Sequence, residues 1–96
     1  MNELKIVATI TVKSEYEKEV LTALHNVVDA TRKEEGNISY DLHKNIVNPL
    51  EYTILEVWKS QEAIDLHNAS IHFDEFKKAI NGKIDGLKVD VIKQLY

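Results

Sequence analysis

The chain opens on an alternation. Residues 4 to 13, LKIVATITVK, are rich in β-branched types and place Ile6, Ala8, Ile10 and Val12 on one side of an extended segment, which predicts a strand. The period then changes. Ser14 stands three residues before Glu17, the spacing of a capping box, and opens a helical stripe of Tyr16, Val20, Leu24, Val27 and Thr31. Glu35-Gly36 closes that stripe, with Gly36 suited to the left-handed position past a helix C-terminus. Alternation resumes at residues 37–43, where Ile38, Tyr40 and Leu42 share a side. A turn at Asn48-Pro49 then leads into EYTILEVWK at 51–59 as the hairpin partner. This third strand is apolar on both sides: Tyr52, Ile54 and Trp58 accompany Glu56 on one, and Leu55 and Val57 accompany Thr53 on the other. Ser60 and Ser70 are placed to cap two successive short helices, the second carrying Phe73, Phe76 and Ile80 on one face. Gly82 and Gly86 bracket a loop, after which 87–95 reads as a last strand with Leu87, Val89 and Val91 together.

The order is β-α-β-β-α-β with its second helical region split. It predicts a single α+β domain over residues 1–96, ferredoxin-like, with a four-stranded antiparallel sheet covered by helices on one face. The other face, carrying Leu55, Val57 and Val7, is left apolar, and covering it with a second copy of the chain predicts a homodimer.

Composition removes several classes of function. Twelve Lys and Arg against 16 Asp and Glu give a net charge of −4, and the basic residues are scattered, which argues against nucleic acid as a partner. The absence of cysteine excludes a disulfide framework, a thiolate nucleophile and sulfur-based metal centres. No window approaches the roughly 20 apolar residues of a membrane span, and the N-terminus lacks the basic-then-apolar pattern of a secretory leader. The expectation is a cytoplasmic protein with no membrane contact.

Candidate chemistry gathers in HNASIHFDEF at 67–76. On one continuous helix His67 and His72, five positions apart, would point about 140° away from each other. They are therefore not an i, i+4 metal pair, and the spacing singles out no third ligand from Glu56 or His43, so no bound metal is expected. A helix break over 68–71 lets both imidazoles converge on one cavity above the sheet, with Trp58, Tyr40, Phe73 and Phe76 as walls. Such a cavity suits a flat aromatic molecule. A neutral imidazole there can serve as a general base, and Glu56 can orient a histidine or a substrate hydroxyl. Packing is the competing role for the aromatics, and surface or hydrogen-bonded roles are assigned to His25 and His43. The runs Glu15-Tyr16-Glu17 and Lys33-Glu34-Glu35 read as solvated helix faces.

These fragments also form an ordered pattern: E-G-x-x-x-Y, a proline turn, E-x-W-x-S and H-x-x-S-x-H-F. It is matched here by Glu35, Gly36, Tyr40, Pro49, Glu56, Trp58, Ser60, His67, Ser70, His72 and Phe73. The chain in this respect resembles the antibiotic biosynthesis monooxygenase domain family, and the strand–helix framework extends the likeness over nearly its whole length. The resemblance implies a dimeric α+β barrel. Members of that family include oxygenases that need no metal or flavin, quinol oxidases, haem-degrading enzymes and an isomerase of phosphorylated signal sugars. By likeness, the expected activity is a cofactor-independent monooxygenase that oxidises an aromatic or quinol-type molecule with dioxygen. His67 or His72 would be the base, and Trp58, Glu56, Tyr40, Phe73 and Phe76 would surround the substrate. The haem-degrading members carry an asparagine in the first strand and an axial histidine in the last helix. Here the first strand has no asparagine, and Phe76 and Lys77 occupy the helical region, which disfavours that chemistry. The isomerase would want basic residues around a phosphate, and none is evident near the pocket residues. A dimeric small-molecule-binding domain without turnover is the alternative from a different class.

Overall fold

The computed structural model describes residues 3–96. Its elements follow the predicted order: β1 (Leu4–Val12), α1 (Glu17–Thr31), β2 (Asn37–Lys44), β3 (Glu51–Trp58), α2 (Gln61–Asn68), α3 (Ile71–Ile80) and β4 (Ile84–Ile92). The strands form one antiparallel sheet in the order β2-β3-β1-β4, so β1 and β3 are central and the two helical connections cross over one face. This is the ferredoxin-like α+β arrangement.

The period-2 pattern decides which side of the sheet is buried. Ile6, Ala8, Ile10 and Val12 of β1 and Tyr52, Ile54, Glu56 and Trp58 of β3 point toward the helices and are buried. Against them α1 lays Val20, Ala23, Leu24, Val27, Val28 and Thr31, with Ile64 of α2 and Phe76 and Ile80 of α3 completing the core. Among the described residues, no helix covers the opposite side. There Val7 lies beside Leu55, and Leu55 and Ile92 remain 45% and 47% exposed, so the expected bare face is present. A second exposed apolar set, Leu87, Val89 and Val91, lies on the helical side of edge strand β4, opposite Ile10, Ala8 and Ile6 of β1.

Three local expectations are corrected. Ser14 makes no capping bond; a single 3₁₀ turn over Ser14–Tyr16 precedes α1. The Glu17 carboxylate that a capping box requires is engaged elsewhere, accepting from the Tyr52 hydroxyl at 2.6 Å and facing Lys44 at 3.7 Å. Gly36 does not adopt a positive φ; Gly82, at φ 77°, does. Gly36 is needed for space, since a Cβ there would collide with the side chain of Ala63 as the start of β2 passes under α2. Gly86 lies within β4 beside the register shift at Thr11/Val12, so the last strand begins at Ile84 and ends at Ile92, three residues ahead of expectation at each end.

Candidate active site

Two serines build the break that positions the histidines. Ser60 Oγ accepts the Ala63 N–H at 3.2 Å and starts α2, and Ser70 Oγ accepts the Phe73 N–H at 3.2 Å and starts α3. Ser70 also donates its hydroxyl to the carbonyl of His67 at 2.6 Å, so one side chain ties the end of one helix to the start of the next. His67 is therefore on the last turn of α2 and His72 on the first turn of α3.

The two imidazoles meet at a carboxylate. Glu34 Oε2 accepts from His67 Nδ1 and from His72 Nε2, each at 2.7 Å. Glu34 was expected on a solvated face, but it sits in the turn after α1 and is mostly buried. The three residues offer one ligand atom each within 4.8 Å of one another. With a carboxylate as the shared acceptor the three form a hydrogen-bonded cluster, and with each imidazole in its other tautomer the same three atoms could face a cation. The cluster also fixes a tautomer. With Nδ1 donating to Glu34, Nε2 is the nitrogen of His67 left for a ligand.

The rings do not share a cavity. His67 lines a partly open space of about 130 Å³ between the sheet and the two short helices, together with Tyr40, Glu56, Asn68, Phe73, Phe76 and Lys77 over a floor of Ile6, Ala8, Ile10 and Ile54; the half-exposed Leu87 and Val89 also line it. His72 instead lines a groove between α1 and α3 beside Asn26 and Glu75. Trp58 is fully buried and lies behind the cavity wall. Its ring packs 4.7 Å from that of His67, and its indole N–H donates to Glu56 Oε1 at 2.8 Å. Of the seven residues singled out from the sequence, Tyr40, Glu56, His67, Phe73 and Phe76 line one cavity, whereas His72 and Trp58 do not line it and pack against His67 from outside. His25 and His43 are exposed on other surfaces.

Burial drives the two titratable groups in opposite directions. It lowers the pKa of His67, with the hydrogen bond and charge of Glu34 pulling the other way and His72 adding to the fall. It raises the Glu56 carboxyl to about 7, offset in part by the Trp58 N–H and reinforced by the charge of Glu34. Tyr40 is also raised, by burial and then by Glu56, and remains a neutral phenol. Near neutral pH the cavity therefore presents an unprotonated imidazole nitrogen beside a carboxyl group that holds its proton over much of the time.

Comparison with known proteins agrees with this architecture. Residues 4–79 match the sequence model of the family described as antibiotic biosynthesis monooxygenase. The chain is 32% identical over 88 residues to the Bacillus subtilis (strain 168) protein named "Putative monooxygenase YcnE", covering 88% of this chain and 93% of that protein. In three dimensions it superposes on the crystal structure of PA3566 from Pseudomonas aeruginosa with a TM-score of 0.94 at 25% identity, covering 100% of this chain and 97% of the other. A conserved protein from Methanosarcina mazei Go1 gives a TM-score of 0.93 at 29% identity, with 99% and 95% covered. No helix among the described residues is long and apolar enough to cross a membrane. With its motif residues, its fold and the match over 4–79 in agreement, the chain belongs to the antibiotic biosynthesis monooxygenase family.

Proposed function

We propose that the protein is a monooxygenase that oxidises a phenolic or hydroquinone ring with dioxygen, without metal or flavin. The observation that supports this reading is the cavity itself. A space of about 130 Å³ is close to the roughly 150 Å³ that holds a benzene ring in a protein interior, so one ring fits and any extension emerges past Leu87 and Val89. His67 Nε2 is the acceptor for the ring hydroxyl, and Glu34 holds that imidazole from the far side. Removing the hydroxyl proton in an apolar cavity leaves an electron-rich anion that transfers an electron to dioxygen. The resulting radical pair joins at a ring carbon, and the peroxide takes back the proton from His67 and loses water. A hydroquinone plus one dioxygen then gives a hydroxyquinone plus one water, with the substrate as the reductant.

The test is oxygen uptake by chelator-treated, flavin-free protein with a panel of one-ring hydroquinones and phenols under labelled dioxygen. Uptake above the autoxidation background, with one labelled atom in the product, is the expected result; background uptake alone would remove the reading.

A homodimer accompanies this proposal. Val7, Leu55, Val57 and Ile92 lie on the sheet face that no helix of the described residues covers, and a second copy is the partner whose matching face can bury them. Sedimentation equilibrium should return twice the chain mass for the native protein and the single mass for Leu55→Glu. A native monomer at micromolar concentration would show that the face stays open.

A further inference from the structure

We propose that the same cavity catalyses a second, oxygen-independent reaction, the keto–enol tautomerisation of small cyclic ketones, with His67 as base and Glu56 as acid. The inference rests on the reading of His67 as the cavity base and extends it to a substrate class that needs no oxidant.

Each of the two groups is fixed from behind. Glu34 accepts from His67 Nδ1, which leaves Nε2 with the lone pair. The Trp58 indole donates to Glu56 Oε1, which makes that oxygen an acceptor and assigns the proton of the neutral acid to Oε2. Both residues are buried, at 3% and 6% exposure, and both line the one-ring cavity. A ring small enough to enter the space therefore meets both the imidazole and the carboxyl residue that line it. That pairing is what enolisation requires. The C–H bond next to a ketone breaks, its proton goes to His67 Nε2, and its electron pair forms the carbon–carbon double bond. The carbonyl π electrons meanwhile take the proton of Glu56. The enol leaves His67 protonated and Glu56 as a carboxylate, and the reverse step, or proton exchange with water, restores both. No electron is gained or lost. The apolar walls suit this step, because a full enolate charge never has to be solvated when the acid supplies a proton as the base removes one.

The experiment is anaerobic hydrogen–deuterium exchange at the α-carbon of cyclohexanone and 2-tetralone in heavy water, followed by proton NMR, with native protein, Glu56→Gln and His67→Gln. Glu56→Gln keeps the shape of the side chain and an oxygen for Trp58, so it separates loss of the acid from loss of the fold, and circular dichroism checks all three proteins. Native protein is expected to speed exchange at least about a hundredfold over the buffer rate. Glu56→Gln should lose about tenfold of that, and His67→Gln should return it to background. Exchange at the buffer rate with folded native protein overturns the inference, as does exchange that Glu56→Gln leaves unchanged. Oxygen uptake without exchange would leave the oxygenase standing and remove the tautomerase. Exchange without oxygen uptake would do the opposite.

Discussion

His67→Ala is expected to lower kcat for oxygen uptake by roughly 10²- to 10⁴-fold, the contribution of a positioned general base, while His72→Ala costs less than about tenfold. Both side chains bond the same oxygen of Glu34 at 2.7 Å, so a purely structural role would make the two variants similar. The difference comes from the free nitrogen of each ring. His67 lines the one-ring cavity with Nε2 as the nitrogen not engaged by Glu34, whereas His72 lines the groove beside Asn26 and Glu75 and not that cavity. On the proposed reading His72 acts as a positioning residue: it supplies one of the two N–H groups that hold Glu34, and Glu34 holds His67. Added imidazole should restore part of the activity of His67→Ala, because the vacated cavity admits a free base, and should do nothing for His72→Ala. Equal losses in the two variants, with no rescue, would remove the assignment of the base.

That His67 lines the cavity and His72 does not was hidden in the sequence, and the reason is depth. Alternation and helical period state which side of an element a residue faces, and these were legible: Tyr40, Glu56 and Trp58 all point toward the helices as their strand positions require. They do not state how far along the sheet a helix lies. Trp58 sits at the end of β3 under α2, beyond the cavity, so it packs behind Glu56 while Glu56 itself reaches the open space. The split between α2 and α3 was legible because Ser60 and Ser70 each precede a helical stripe. Its consequence was not, because the carboxylate at which the two histidines meet comes from the turn after α1.

Glu34 nevertheless left a trace. The buried stripe of α1 runs Val20, Leu24, Val27, Thr31, and the next step of the same 4-3-4-3 spacing is residue 34. An acid that continues an apolar stripe differs from one in a charge run, although Lys33 and Glu35 on either side disguise it as one. Gly36 was misread for a related reason: a glycine after a helix suggests a left-handed backbone, whereas the close approach of Ala63 belongs to a segment far along the chain. In both cases the misreading came from a contact with a segment far along the chain.

Glu56→Gln should make the fold more resistant to unfolding as pH rises, by about 3 kcal/mol between pH 4 and pH 8. In the folded protein the carboxyl titrates near 7, against 4.5 as its ordinary value, because burial penalises the charged form. Between those two values the folded state holds a proton that the unfolded state has released, so native stability falls as pH climbs from 4.5 to 7 and stays lower above it. The difference of roughly 2.5 units corresponds to about 3 kcal/mol. Glutamine pays no such penalty and keeps the oxygen that accepts from the Trp58 N–H. The charges acting on His67 are those of Glu34 and His72, so its own titration, which costs stability as pH falls below 6.5, is common to both proteins and cancels in the comparison. For a domain of this size, roughly 4–8 °C of Tm accompanies each kcal/mol, so the Tm gap between variant and parent should widen by at least about 10 °C from pH 4 to pH 8. A gap that stays constant with pH would mean that the Glu56 carboxylate is solvated in the folded protein, and the cavity would then lack its acid.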